Sequence, residues 1–247
     1  MAVFRIRIAG EIIEVRSLFA STRDYCAPYL TEEEPDFFVE VTKEDLVRRQ
    51  ELAYAEAKRE GLRPRVFPDP FLERETVQAE VARQLLQRNV LLVHGSAVAA
   101  DGVGYLFCAP CRTGKSTHTR LWRELLGDRA VMINDDKPFL RLEPERILIC
   151  GSPWSGKHGL HSNIAVPLGG ICILERGREN SIFRAGTEDV LPVLLHHGAG
   201  PEEEAAQVHY EGLMGQLAAR VKLWKMCCTK EPEAARMAWE AMRRDTI

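Results

Sequence analysis

The chain lacks the features that mark a membrane protein, a nucleic-acid binder or a disulfide scaffold. In 247 residues no apolar run approaches the ~20 residues that a bilayer span requires. The amino terminus, Met1-Ala2-Val3-Phe4-Arg5-Ile6-Arg7-Ile8, alternates apolar and basic residues as a strand does, without the apolar block of a signal peptide. There is no basic stripe and the formal net charge is −3, so the electrostatic footprint of a nucleic-acid partner is missing. Seven cysteines, an odd number, argue for reduced thiols rather than paired ones. Repeats and low-complexity tracts are absent too. A cytoplasmic globular protein is expected, with no nucleic-acid or membrane partner; an oligomer stays open.

What the chain does hold is the stretch Phe107-Cys108-Ala109-Pro110-Cys111-Arg112-Thr113-Gly114-Lys115-Ser116-Thr117. The apolar run Val103 to Cys108 reads as a buried strand, and Lys115 to Leu126 as a helix with Leu121, Trp122, Leu125 and Leu126 on one face. Strand, loop, Gly-Lys-Ser/Thr and helix form the order of a phosphate-binding P-loop. Amides of Thr113, Gly114, Lys115, Ser116 and Thr117 would face an anion at the positive end of the helix dipole. Lys115 reaches phosphate as a point charge and Ser116 offers a hydroxyl to Mg²⁺; Arg112 either reaches the transferring phosphate or is simply exposed. The first glycine of the pattern G-x-x-x-x-G-K-[ST] is replaced by Ala109, which requires a negative φ there. Cys108 and Cys111 form a Cys-x-x-Cys, read as packing residues flanking the loop, with a redox switch as the sharper alternative.

Phosphoryl transfer needs positioning, charge neutralisation, a metal and a base near the acceptor. Asp135 and Asp136 follow the short apolar strand Ala130 to Ile133, the next strand after the loop helix. One carboxylate suits Mg²⁺ and the other a proton from an attacking hydroxyl, because neighbouring acids push each other's pKa values apart. His94 interrupts an apolar strand, Val90 to Ala99, that forms a hairpin through Asp101-Gly102 with the strand feeding the loop. Lys157 lies with Trp154 and His158 on a glycine-containing loop, Gly151 to Asn163, which either closes over phosphates or holds the acceptor, as lids do, or is an ordinary solvated turn. His158 with His161, and His196 with His197, make no zinc set.

The remaining pattern reads as an N-terminal αβ lobe, residues 1–68, followed by a larger domain, residues 69–247. Val3 to Ala9 and Glu11 to Arg16 form a hairpin turning at Gly10, and Phe37 to Val41 a third strand. Thr42 caps a helix, with Asp45 as its acidic partner. The three prolines between Arg63 and Pro70 mark the boundary. In the second domain follow a helix from Phe71 to Asn89, strands at Phe139–Leu142, Arg146–Cys150 and Ile171–Leu174, helices from Thr187 and Pro201, a strand Val221–Cys228 and a last helix, Glu231–Arg244.

Together, His94-Gly95, the hairpin, Gly114-Lys115-Ser116, the Asp135-Asp136 pair and the stretch from Val166-Pro167-Leu168 to Asn180 resemble the HPr kinase/phosphorylase family and, more loosely, PEP carboxykinase. Asn134-Asp135-Asp136-Lys137-Pro138 and Pro153-Trp154-Ser155-Gly156-Lys157 look closer still to the short HPr-kinase-like proteins linked to peptide modification. Some of these phosphorylate a serine of a ribosomally made peptide. The resemblance runs over about Leu91 to Asn180. It implies a PEP carboxykinase/HPr kinase-like mixed α/β sheet with a P-loop, and ATP and Mg²⁺ as cofactors. It implies Lys115 on phosphate, Ser116 and Asp136 on the metal, Asp135 as base and His94 assisting. The function expected is an ATP-dependent kinase acting on a hydroxyl of a peptide, a small protein or a small molecule. A nucleotide-binding sensor without turnover is the alternative from another class.

Overall fold

The fold comes from a computed structural model that describes residues 1–59, 61–110, 113–197, 200–201 and 204–244. It is a mixed α/β structure with seven helices among the described residues, none long and apolar enough to cross a membrane. The chain divides into two compact units, Met1–Leu85 and Leu86–Ile247.

In the first unit, β1 (Ala2–Ile8) and β2 (Glu11–Ser17) form an antiparallel hairpin. Its two turn residues, Ala9 and Gly10, hold φ at 51° and 88°, the left-handed values that match the twist of the flanking strands. Phe4, Ile6 and Ile8 are buried at alternate positions along β1, the two-residue period of a half-buried strand. A short helix that periodicity did not reveal, α1 (Ala20–Tyr25), precedes β3 (Phe37–Glu40), which lies parallel to β2. Thr42 then starts α2 (Lys43–Arg59) through a reciprocal cap. Its hydroxyl accepts from the Asp45 amide at 3.3 Å, and the Asp45 carboxylate accepts from the Thr42 amide at 2.9 Å.

The helix α3 (Asp69–Leu86) moves the boundary from the proline-rich segment to Leu85. The physical reason is Glu73, fully buried, whose carboxylate accepts from the Leu18 and Phe19 amides and the Thr22 hydroxyl. An unpaired carboxylate would be costly there, so α3 is fastened to the segment that opens α1.

The second unit is built on a nine-stranded mixed sheet. The stretch expected as one strand, Val90 to Ala99, is two: β4 (Val90–Leu92) and β5 (Ser96–Ala100). β4 pairs with β8 (Phe139–Leu142), and β5 pairs with both β6 (Val103–Cys108) and β7 (Ala130–Asn134). Between them the amides of Val93 and Gly95 donate to the carbonyls of Pro138 and Asp136, so the backbone leaves the ladder to follow the acidic turn. β9 (Ile147–Cys150) leads to β10 (Ala165–Arg176), far longer than the Ile171–Leu174 run suggested. β10 pairs antiparallel with β9 at its start, then parallel with β6 from Leu168 onward, across an irregularity between Leu168 and Gly170. Pro167, Gly169 and Gly170 hide this strand in the sequence, yet a Cβ on Gly170 would sit 2.1 Å from the Trp224 ring.

β11 (Ser181–Arg184), unseen by periodicity, pairs only with β12 (Leu223–Cys228), which lies parallel to β10. The two faces of the sheet carry different cores. Leu106, Ile171 and Leu223 pack with residues of α5 (Thr187–His197) and α6 (Glu204–Arg220). Phe107, Cys172 and Trp224, their neighbours one step along, pack with α4 (Lys115–Leu126) and α7 (Pro232–Arg244).

Candidate functional site

Strand direction explains why the chemistry-bearing residues gather. β6, β10 and β12 are mutually parallel. β7 shares their direction, because the antiparallel β5 separates it from β6. The carboxyl ends of four strands therefore open at one end of the sheet, where β5 begins with Ser96. Open α/β sheets place ligands at that end.

The turn from β6 into α4 is shaped by Gly114, the residue before the helix, at φ 121° and ψ 20°. A Cβ there would meet nothing within 4 Å, so glycine is needed for the backbone conformation and not for space. Ala109 is buried and is absent from the positive-φ residues, which meets the condition set by the sequence. Lys115 is also buried; its ammonium group folds back and donates to the Ala109 carbonyl at 3.0 Å. Ser116 is exposed and Thr117 half-buried on the first turn of α4. Arg112 and Cys111 lie outside the described residues. Cys108, the other half of the pair, is buried, and burial pushes its thiol up to about 12, a value that leaves it protonated and unreactive.

On the β5/β7 side the two acids have different surroundings. His94 Nε2 lies 3.1 Å from Asp136 Oδ1. Burial opposes ionisation of Asp136, but the His94 hydrogen bond and the charges of Lys137, His94 and Lys115 outweigh it, and the carboxyl stays below its ordinary value. Asp135 is 4% exposed. Its Oδ1 accepts from Ser96 Oγ at 3.4 Å, and Ser96 Oγ lies 2.8 Å from Thr119 Oγ1 on α4. Two buried hydroxyls thus link the acid to the helix that carries Lys115 and Ser116. Gly156 lies against both acids; a Cβ on it would come 3.2 Å from Asp135 Oδ2 and 3.6 Å from Asp136 Cβ. Lys157, next in the chain, is exposed.

On the β10/β12 side a cavity of about 300 Å³ opens beside the start of α4. Thr113, Gly114 and Thr117 line one wall, Arg176 and Lys230 bring cationic groups, and His118 and Leu121 also contribute. Arg176 Nε donates to the Thr113 carbonyl at 3.2 Å, tying β10 to the loop. His118 is buried, and its Nε2 accepts from the Trp122 indole at 3.1 Å. The proton of the neutral ring therefore sits on Nδ1, which has no partner among the described residues. Burial lowers this imidazole to about 4.

The structure thus draws His94, Asp135, Asp136 and Lys115 to one corner. Among the described residues no hydrogen bond or ion pair joins Lys157 to either acid. Sequence reasoning missed Ser96, Thr119, Arg176 and His118. A signal existed for Thr119, four residues after Lys115 and so on the same helix face; none marked Arg176, which arrives through β10 pairing.

Among the described residues no three His, Cys, Asp or Glu side chains cluster as a metal site. The carboxylates of Asp135 and Asp136 and the hydroxyl of Ser116 are hard oxygen donors, the kind that Mg²⁺ accepts when phosphate oxygens and water complete its shell.

No family model matches the chain, and no curated protein matches it. Among solved structures it is similar to the Hpr(Ser) kinase/phosphatase from Coxiella burnetii, at 8% identity and a TM-score of 0.37, over 62% of this chain and 97% of that one.

Proposed function

We propose that the chain is an ATP- and Mg²⁺-dependent phosphotransferase that delivers a phosphoryl group to a hydroxyl, on a serine of a peptide or small protein. In this reading the β6–α4 turn is a P-loop within a PEP carboxykinase/HPr kinase-like sheet. The observation that carries it is the shared sheet end. Gly114 to Thr117 open a helix there, and His94, Asp135 and Asp136 stand beside it, with Lys115 buried and close enough to bear on the charge of Asp136.

Each residue then has a physical task. The amides of Thr113, Gly114, Lys115, Ser116 and Thr117 bind phosphate oxygens at the positive end of α4. Lys115 exchanges the Ala109 carbonyl for phosphate, gaining a charge-assisted hydrogen bond. Asp136, kept ionised by His94, and the Ser116 hydroxyl are the residues that would hold Mg²⁺. When bound, that ion neutralises charge on the phosphates being separated. Asp135, shielded from water and steadied by Ser96, accepts the proton that leaves the attacking hydroxyl. The nucleoside takes the cavity on the other side of the loop, whose about 300 Å³ lies at the lower end of small-molecule sites. Lys157, on the exposed loop beside Gly156, meets the outer phosphates or the acceptor.

One observation favours a second reading, a nucleotide sensor without turnover. Asp135 is 4% exposed and lies under Gly156, so an acceptor hydroxyl reaches it only if that loop moves.

Labelled ATP, Mg²⁺ and a panel of peptide, protein and small-molecule hydroxyls separate the two. Transfer should appear in the wild type and vanish in Asp135→Asn, which still binds ATP. Lys115→Ala should lose both transfer and at least ~10-fold in ATP affinity, the scale of one charge-assisted hydrogen bond. Unchanged ATP binding by Lys115→Ala would refute the phosphate-loop reading. Binding without transfer to any acceptor would establish the sensor.

A further inference from the structure

We infer that Asn134 is a positioning residue for the acidic pair, a role that rests on the phosphotransferase reading. It is fully buried and touches no exposed surface where a substrate could meet it. Its carboxamide nonetheless spends every hydrogen-bonding valence on the two segments that surround the acids. On one side Oδ1 accepts from the amides of Asp136 at 2.8 Å and Lys137 at 2.6 Å, which bends the backbone where the two acids diverge. On the other side the two hydrogens of Nδ2 are shared among the Ser152 carbonyl at 2.9 Å, Ser152 Oγ at 3.0 Å and the Trp154 carbonyl at 3.2 Å.

Further bonds complete the clamp. Ser152 Oγ donates to the Lys137 carbonyl at 2.6 Å, the Asp135 amide donates to the Leu160 carbonyl at 3.0 Å, and the Ser162 amide donates to the Ile133 carbonyl at 3.1 Å. The acidic turn and the loop from Gly151 to Ser162 are therefore one hydrogen-bonded body. Gly156 brings the loop against the carboxylates, where an added Cβ would stand 3.2 Å from Asp135 Oδ2.

The residue type follows from the bonds required. Asp could accept from the turn but has no donor for the loop carbonyls; Ser can accept over a short turn but cannot span to Trp154. Asn alone is short enough for the turn and carries donors for the far side. Through this clamp the direction of both carboxylates, and so the hold of Asp136 on a cation and the aim of Asp135 at the acceptor, is set by a group that contacts neither cation nor substrate.

The test uses the full chain with Asn134→Ala and Asn134→Ser. ATP affinity is measured calorimetrically in EDTA and across a Mg²⁺ titration, with thermal midpoints and transfer rates alongside. Asn134→Ala should bind ATP in EDTA as the wild type does, because the β6–α4 turn is untouched. The Mg²⁺ concentration that half-saturates its binding should rise about 10–100-fold, the usual effect of losing a group that orients metal ligands. Asn134→Ser should recover much of the Mg²⁺ response, since its hydroxyl can accept from the turn amides, while transfer stays impaired because the loop is released. A wild-type Mg²⁺ response in Asn134→Ala would overturn the inference. So would an equal loss of ATP affinity with and without Mg²⁺ in both variants, which is the mark of a merely structural residue. If the wild type itself binds ATP with no Mg²⁺ response and Lys115→Ala binds equally well, the phosphotransferase reading falls first and takes this role with it.

Discussion

Acidification should unfold the second unit early, and His118 is the reason. Its imidazole titrates near 6.5 in an unfolded chain and at about 4 when buried against Phe107 and Trp122. Between those values the unfolded chain binds a proton that the folded one refuses. Stability therefore rises with pH across that window and is lost as pH falls through it. At about 1.4 kcal/mol per pH unit, the gap from 6.5 to about 4 amounts to about 3 kcal/mol, of which about 2 kcal/mol is gone by about pH 5. All four tryptophans, Trp122, Trp154, Trp224 and Trp239, lie beyond residue 85, so tryptophan fluorescence during urea unfolding reports the second unit alone. His118→Gln is the comparison: its amide oxygen can still accept from the Trp122 indole, but it does not titrate. Other ionising groups contribute equally to both proteins and cancel in the difference. The wild type should lose about 2–3 kcal/mol more than the variant between neutral pH and the acid end of the window. Parallel curves would refute the assignment of a neutral, desolvated imidazole.

Three further outcomes follow from the geometry. Gly114→Ala should cost about 1–3 kcal/mol, all of it backbone strain at φ 121° because a Cβ meets nothing; urea unfolding followed by tryptophan fluorescence measures it. Thr42→Ala removes one half of a reciprocal cap and should cost about 1 kcal/mol. Far-UV circular dichroism is the suitable probe, since the first unit contains no tryptophan. Cys108, buried with its thiol pushed up to about 12, should resist iodoacetamide in the native protein and react readily once unfolded, as peptide mapping by mass spectrometry would show. Rapid native labelling would contradict the burial.

Local chemistry was the part of this molecule legible in advance. Gly10 and the pair Asp101-Gly102 mark two hairpins, and Thr42 with Asp45 announces α2. Gly114-Lys115-Ser116 after an apolar run marks the turn into α4, and Asp135-Asp136 after the next strand marks the acidic corner. What escaped was decided by partners remote in sequence. The run from Val90 to Ala99 looks like one strand because all its residues but His94 and Gly95 suit a buried ladder; only the carbonyls of Asp136 and Pro138 reveal the break. β10 carries Pro167, Gly169 and Gly170, which argue against a strand until Trp224 is known to press on Gly170. The division after Leu85 depends on Glu73 reaching back to the α1 segment. Ser96 and Arg176 have no local signature, because their importance comes from whom they meet.

Gly95 shows how closely the two sides of the corner are bound together. A side chain added there would strike Leu106 Cδ1 at 2.6 Å, the Phe107 carbonyl at 3.1 Å and Cys108 Sγ at 3.2 Å. Those three residues are the last of the strand that launches the turn toward Gly114, while residue 94, immediately before, holds the imidazole facing Asp136. The close seat of residue 95 on that strand thus needs a residue without a side chain. A methyl group at residue 95 would turn the Leu106 side chain aside and require the Phe107 carbonyl and Cys108 Sγ to give by a few tenths of an ångström, so the strand tip and the residue beside the histidine would have to adjust together.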